Sequence, residues 1–275
     1  MPLAENKLRL AVLVSGSGTN LQAMLDRMER RELAAEVVVV ASDRTEAFGL
    51  ERARHAGIPT HVVDYADLLH SDQDFNTLLH RVRHECSVDV VELDERQHIL
   101  RISEPIRRRE RLAKLVLAEH ALVQILDCYQ PDYICLAGFM RLLTPYFLGH
   151  YNQENSYRVI NIHPALLPAF PGQHGYQDTF AYGCKWGGIT VHFADEGEDT
   201  GPIIAQAVYP LWPGDHIDTV RNRGLRIEYE MYSQCLNWIA RGQLMMYHEA
   251  GKPRVAVADP GYAEVLRSWL ALALA

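Results

Sequence analysis

The sequence predicts an α/β fold with an open, mostly parallel twisted sheet and helices on both faces. Short runs rich in β-branched residues alternate with longer amphipathic stretches through residues 8–150, which is the pattern of a parallel sheet wrapped by helices. The runs are apolar on both faces, as expected for strands that helices cover on each side. Three further apolar runs follow in the second half, between loops rich in Pro and Gly.

Each apolar run is a predicted strand, and each long amphipathic stretch is a predicted helix. The predicted strands cover residues 10–14, 37–41, 60–63, 133–136, 158–162, 189–193 and 203–208. The predicted helices cover residues 20–29, 47–56, 112–129 and 217–241. After Gly251 we expect a final ribbon or tail.

Residues 86–104 have a different pattern. Two short alternating runs, 88–93 and 98–103, flank the polar tetrapeptide 94–97. This arrangement predicts a β-hairpin inserted near 86–104, although its turn lacks glycine. Pro105 ends the hairpin, and a cluster of arginines follows it at the start of a helix.

Composition narrows the class of protein. A chain of 275 residues with 48% hydrophobic and 23% charged residues is an ordinary globular chain. A net charge of -8 argues against broad attraction to nucleic acid or anionic membranes. The five cysteines are scattered without metal-binding spacing, which favours a reducing cytoplasm. We expect no signal peptide and no membrane span, because no apolar run approaches about 18 residues. A monomer and a homodimer both remain open.

The first candidate site is the turn from Ser15 to Asn20, with sequence SGSGTN, between the first predicted strand and the first predicted helix. Glycines there let backbone N–H groups at the helix N-terminus bind a phosphate. The position gives the N-terminal half a Rossmann-like character. The spacing is not that of a dinucleotide fingerprint, because Leu21 occupies the third glycine position, so a single phosphate fits better. The alternative is a tight turn without a ligand.

The second candidate site is the pair Asn161 and His163. Residues two apart in a strand point to the same side, so both side chains would project together from the strand's carboxyl end. Pro164 keeps His163 extended. An amide beside an imidazole suits acyl transfer, because the amide donates to a developing oxyanion while the imidazole exchanges a proton. The alternative is that both residues only stabilise a proline-rich loop.

The third candidate is Asp199, which lies in the tight turn DTGP at the base of an acidic loop. Its carboxylate could stabilise an imidazolium or orient a water that carries a proton. We interpret Asp195, Glu196 and Glu198 as solvated surface and His192 as a core or supporting histidine. No residues in these loops have the spacing of a zinc site.

Five segments together resemble the glycinamide ribonucleotide transformylases, which move a formyl group from 10-formyltetrahydrofolate to a primary amine in de novo purine biosynthesis. The segments keep the order found in that family and span most of residues 8–245. They are LVSGSGTNLQA (13–23), AFGLERA (47–53), LAGFMRLL (136–143), NIHPALLPAFPG (161–172), and GITVHF (188–193) through DTGPII (199–204).

The resemblance implies a role for each matching residue. The implied catalytic residues are Asn161, His163 and Asp199. The implied substrate residues are Gly18, Thr19 and Asn20 for the ribose phosphate and Glu228 near the amine. The implied folate-binding residues are Met140, Arg141, Leu142, Leu143, Ala194, Asp195 and Asp199, with Arg141 and Leu143 using backbone groups.

The resemblance also implies a formyltransferase fold as one domain over residues 1–275. Its parts are a phosphate-binding half (8–150) with an insertion (71–112), a catalytic and folate-binding half (151–245), and a C-terminal tail (246–275). The partners would be glycinamide ribonucleotide and formyl folate, with no metal, nucleic acid or membrane. His163 would be protonated and paired with Asp199, while Asn161 donates to the oxyanion.

The insertion departs from the family, which usually has a short link there and a basic residue that helps to hold the phosphate. Our hypothesis is that Arg108, Arg109, Arg111 or Lys114 supplies that charge.

Three other functions compete with the transformylase. Methionyl-tRNA formyltransferase normally carries a basic C-terminal domain, and 10-formyltetrahydrofolate hydrolase normally carries an N-terminal regulatory domain, so the architecture disfavours both. A catalytically silent nucleotide-binding module is the third.

Overall fold

The computed structural model describes residues 7–153 and 156–275, and its centre is one seven-stranded sheet. The strand order is β3-β2-β1-β4-β5-β6-β7; the first five strands in this order are parallel, and β6 is antiparallel to both of its neighbours. The predicted fold class is therefore confirmed. The strands are β1 (Leu8–Val14), β2 (Ala35–Ser42), β3 (Thr60–Val62), β4 (Tyr133–Leu136), β5 (Val159–His163), β6 (Trp186–Phe193) and β7 (Ile203–Pro210).

Helices connect the strands and cover both faces of the sheet. The described residues contain α1 (Thr19–Glu29), α2 (Phe48–His55), α3 (Tyr65–Leu69), α4 (Phe75–Arg81), α5 (Val90–Arg96), α6 (Pro105–Asp127), α7 (Pro145–Tyr151), α8 (Gly175–Ala181), α9 (Ile217–Ala240) and α10 (Tyr262–Leu274). None of these helices is both long and apolar enough to cross a membrane.

Strand β1 shows why the sheet is buried. Leu10, Val12 and Val14 pack into a cluster with α1, α9 and α10, whereas Ala11 and Leu13 face a second cluster with α3, α6 and α7. All five side chains have no exposed surface. Helices cover both faces of the sheet, so alternate side chains of the strand enter two different apolar cores. In a sheet with one solvent face they would be alternately apolar and polar.

The predicted hairpin near residues 86–104 is wrong. No residue of this segment, all of which the structure describes, lies in a strand: a π-helical stretch, Val82–Cys86, ends at its start, and the helix α5 lies in its middle. Asp89 caps α5 by accepting from the N–H of Val91. The buried residues Val82, Cys86, Val90 and Leu93 follow helical spacing, so the apparent alternation was part of a helical pattern.

An antiparallel hairpin is present later, in the C-terminal tail. It consists of β8 (Leu244–Glu249) and β9 (Lys252–Val257), and α10 follows it and packs on β7 and α9. The sequence interpretation expected a ribbon or tail here and did not include the terminal helix. Residues 1–6, where we expected no signal peptide, lie outside the described part of the chain.

The part of the insertion that precedes α6, residues 71–104, packs on this helix through an apolar cluster of its own. Leu78, Val82, Cys86, Val90 and Leu93 from the insertion meet one face of α6. That face consists of Leu112, Ala113, Val116 and Leu117. Since the opposite side of α6 packs on the sheet, the middle of this helix is buried on both sides.

Candidate active site

A cavity of about 520 Å³ lies at the carboxyl ends of β1, β4 and β5. Ligands bind at this edge in open α/β sheets, and the volume is within the range of small-molecule sites. Every residue in our three predicted groups, catalytic, substrate-binding and folate-binding, lines this one cavity.

The turn between β1 and α1 forms one end of the cavity. Gly18 has φ 65°, a left-handed conformation, and a Cβ at this position would lie 2.5 Å from the Cα of Gly49. Glycine is required for both reasons. Among the described residues, no side chain caps the start of α1, so N–H groups of its first turn, from Thr19 and Asn20, are available to an anion.

Next to this turn, a buried carboxylate joins α9 to α1. The Asn20 Nδ2 group donates to Glu228 Oε2 over 2.7 Å, and the Tyr176 hydroxyl donates to Glu228 Oε1. Gly224 permits the approach of Tyr176, since a Cβ there would be 2.3 Å from the tyrosine ring. Burial raises the pKa of Glu228, although both donors oppose that rise. The Asn20 Oδ1 atom is buried without a hydrogen-bond partner among the described residues, so it can accept from a ligand.

Asn161 and His192 lie opposite each other on β5 and β6. The Asn161 Nδ2 group is 3.2 Å from His192 Nε2 and donates to Asp199 Oδ1 over 3.3 Å. His192 Nδ1 lies 2.9 Å from the Phe193 carbonyl oxygen. If that nitrogen donates, Nε2 is the acceptor that orients the Asn161 amide. From the sequence we interpreted His192 as a core or supporting histidine. Its position opposite Asn161 depends on the register between β5 and β6, which the sequence does not reveal.

His163 stands between two acceptors. Its Nδ1 is 3.4 Å from Asp199 Oδ2, and its Nε2 is 2.8 Å from the carbonyl oxygen of Phe170. Both ring nitrogens can donate at once only in the imidazolium form. Burial nevertheless lowers the pKa of His163, and the charge of Asp199 restores part of it. The expected protonated ring therefore depends on Asp199 and is not favoured in the resting site at neutral pH.

Asp199 lies between the two histidines, with Oδ2 3.4 Å from His163 Nδ1 and Oδ1 3.5 Å from His192 Nε2. It has φ 55°, and its Oδ2 accepts from the Gly172 N–H over 2.8 Å. Burial alone would raise the pKa of Asp199, but its interactions with His192, His163 and Gly172 outweigh burial and lower it. The carboxylate is therefore ionised at neutral pH.

The predicted folate strip forms the other wall. Met140 and Leu142 are 43% and 38% exposed, and the Met140 N–H donates to Ser15 Oγ over 2.8 Å. The Arg141 side chain donates from Nε to Asp43 Oδ2 over 2.6 Å. Ala194 and Asp195 line the same cavity.

The predicted phosphate cations lie elsewhere. Arg108 and Arg109 both pair with Asp94, and Lys114 pairs with Glu110 over 2.9 Å. Arg111 does not line the cavity either. The hypothesis was wrong, because none of the four lines the cavity. Arg108, Arg109 and Lys114 instead connect α6 to the insertion, through Asp94 and the Ser71 carbonyl. The arginines that line the cavity are Arg44, Arg141 and Arg221.

No group of three or more potential metal ligands occurs among residues 7–153 and 156–275. That the chemistry needs no metal stays a prediction.

Comparisons with known proteins show which family the chain resembles. Residues 8–236 match the family model described as Formyl transferase. The chain is 33% identical over 243 residues to the phosphoribosylglycinamide formyltransferase of Escherichia coli, covering 88% of this chain and 92% of that protein. It is 34% identical to a trifunctional purine biosynthetic protein of Drosophila pseudoobscura, of which it covers 15%. A solved structure of glycinamide ribonucleotide transformylase 1 from Symbiobacterium toebii superposes with a TM-score of 0.68 at 34% identity, covering 93% and 96% of the two chains.

Proposed function

The chain belongs to the formyl transferase family, and from this membership we propose that it is a phosphoribosylglycinamide formyltransferase. It transfers a formyl group from 10-formyltetrahydrofolate to the amine of glycinamide ribonucleotide in purine biosynthesis. The products are N-formylglycinamide ribonucleotide and tetrahydrofolate. The observation that carries this proposal is that Asn161, His163 and Asp199 share one cavity with the glycine turn and Glu228.

The nucleotide would lie along α9 and the turn at Gly18. The phosphate would accept from the N–H groups at the start of α1, and Glu228 with Asn20 Oδ1 would bind the amine. Arg221 lines the cavity seven residues before Glu228, which is roughly 10 Å along the same helix. That separation suits a molecule with a phosphate at one end and an amine at the other, so we assign Arg221 to the phosphate.

The folate would lie between the strip 140–143 and the loop 194–199. Met140 and Leu142 expose apolar side chains. The backbone of Arg141 and Leu143, which also line the cavity, would supply polar groups for the pterin. Asp195, beside Ala194 on the opposite wall, would close over the same ring.

The reaction needs an oxyanion donor and a route for one proton. The substrate nitrogen forms a bond to the formyl carbon, the bond from that carbon to the folate nitrogen breaks, and a proton moves from the amine to the folate nitrogen. Asn161 has two amide protons. One would continue to point to His192 Nε2, and the other would leave Asp199 Oδ1 and donate to the formyl oxygen. His163 and Asp199 exchange the proton and stabilise developing charge.

An assay with purified protein, formyl folate and glycinamide ribonucleotide tests the proposal. His163→Ala should lower turnover by about a hundredfold or more. His70→Ala is the matched control, because this histidine is exposed at the C-terminal end of α3 and does not line the cavity. Equal turnover by the His163 variant and the wild type would refute the catalytic assignment. Formate release without nucleotide would instead indicate a hydrolase.

We also propose a cytoplasmic location, supported by the five cysteines, which are all free.

A further inference from the structure

The insertion reaches the cavity through residues 96–101. Ile99 is 9% exposed and lines the cavity. On either side of it, Arg96 forms an ion pair with Glu196, and Arg101 Nη2 lies 3.1 Å from Glu198 Oε2. Both acidic partners belong to the loop 194–199, so the insertion contacts the wall that carries Asp199.

Residues 96–101 have a fixed shape. The buried Gln97 accepts through Oε1 from the N–H groups of Ile99 and Leu100, over 3.0 and 2.7 Å. Leu100 packs against two of the three apolar clusters. Just before this turn, Asp94 is tied to α6 by Arg108 and Arg109. Ile99 is thus presented to the cavity by a supported turn.

We propose that Ile99 is a folate-contacting residue supplied by the insertion, and that Arg96 and Arg101 are positioning residues that hold the loop 194–199 over the ring. This inference rests on the proposed function. Ile99 belongs to the folate end because both arginines beside it reach the folate loop, whereas the polar nucleotide end is formed by Gly18 and Glu228.

Charge supports the same assignment. The loop 194–199 carries four carboxylates, at Asp195, Glu196, Glu198 and Asp199. A folate also carries carboxylates, which this loop would repel. Arg96 and Arg101 neutralise two of the four acidic groups and bring the loop and the apolar turn together.

The test measures binding of tetrahydrofolate by calorimetry, together with the separate KM values of formyl folate and nucleotide. Ile99→Ala should weaken tetrahydrofolate binding about fivefold, because it removes methylene groups from the ring contact. The double variant Arg96→Ala/Arg101→Ala should weaken it about twofold to fivefold, since both pairs are partly exposed. The KM for the nucleotide should not change in either variant.

Charge exchange separates positioning from general damage. Arg101→Glu should weaken folate binding, and adding Glu198→Arg should restore it. Arg267→Ala is the control, because Arg267 is 73% exposed and pairs with Glu264 on α10, away from the cavity. Arg101 is itself 84% exposed, so its variants do not threaten the core.

The inference is overturned if Ile99→Ala and the double variant bind tetrahydrofolate as tightly as Arg267→Ala does. A wild type that binds folate but transfers nothing to the nucleotide would contradict the proposed function alone. In that case, weaker folate binding by Ile99→Ala would still support the folate contact.

Discussion

Replacing Asp199 by asparagine tests the electrostatics of the site with little change in shape. Asparagine tolerates the left-handed backbone at this position, where φ is 55°, better than most residues do. Its amide oxygen can still accept from the Gly172 N–H. The substitution therefore keeps the loop but removes the charge beside His163 and His192, together with the Oδ1 acceptor of the Asn161 amide.

The expected loss follows from the distance between the charges. Asp199 Oδ2 lies 3.4 Å from His163 Nδ1, and at an effective dielectric constant near 20 this separation corresponds to about 5 kcal/mol of attraction to an imidazolium. Burial opposes part of that attraction, because it leaves the pKa of His163 below its ordinary value. If about half of this attraction stabilises the imidazolium in the transition state, its loss in Asp199→Asn should lower turnover roughly a hundredfold.

Steady-state assays across pH, with nucleotide and folate saturating, would measure this loss. Since the charge of Asp199 raises the pKa of His163, Asp199→Asn should also move the pH limb governed by His163 to lower pH. Asp178→Asn, an exposed change on α8, is the control. Turnover by Asp199→Asn within about threefold of this control would refute the reasoning, because Asp199 would then not stabilise an imidazolium in the transition state.

Three other predictions concern separate parts of the molecule. Arg221→Glu should raise the KM for the nucleotide about tenfold without changing that for folate, whereas Arg226→Glu on the same helix should change neither; equal values for the two variants would contradict the phosphate assignment. Burial raises the pKa of Glu119 from 4.5 to about 8, so its contribution to stability is complete below pH 4.5 and is lost as pH rises through about 8. Glu119→Gln should flatten the dependence of Tm on pH over that range. An unchanged slope would contradict a raised pKa for Glu119. Gly18→Ala should lower the free energy of unfolding in urea by about 1–3 kcal/mol because of its strained φ, whereas Gly149→Ala, where an added Cβ meets nothing within 4 Å, should not lower it.

The sheet could be predicted from the sequence because each strand is an apolar run set off by polar loops. The strand 133–136 was predicted with its observed bounds, and β1 and β2 were predicted slightly too short. The insertion could not be predicted in the same way. Its helices are short, and their apolar residues form a core only by packing on α6. The sequence does not show that α6 lies beside them.

The site was predicted residue by residue where a motif carries it. Asn161 and His163 share a strand, so their proximity follows from local geometry. His192, Arg221 and Ile99 also line the cavity. Their positions there depend on strand register, on the placement of α9 and on the insertion, respectively, and none of these follows from local sequence. Arg108 and Arg109 were misassigned because charge can be read from sequence, whereas the ionic partner, Asp94, is fixed by packing.

The apolar cluster between the insertion and α6 limits how this chain can be shortened. Excising residues 71–104 to imitate a compact relative would uncover Leu112, Val116 and Leu117, which are almost completely buried. A contiguous apolar patch of this kind promotes self-association. A functional minimal version would therefore need polar residues on that face of α6 as well as a shorter link, and the helix and its cover must change together in any redesign.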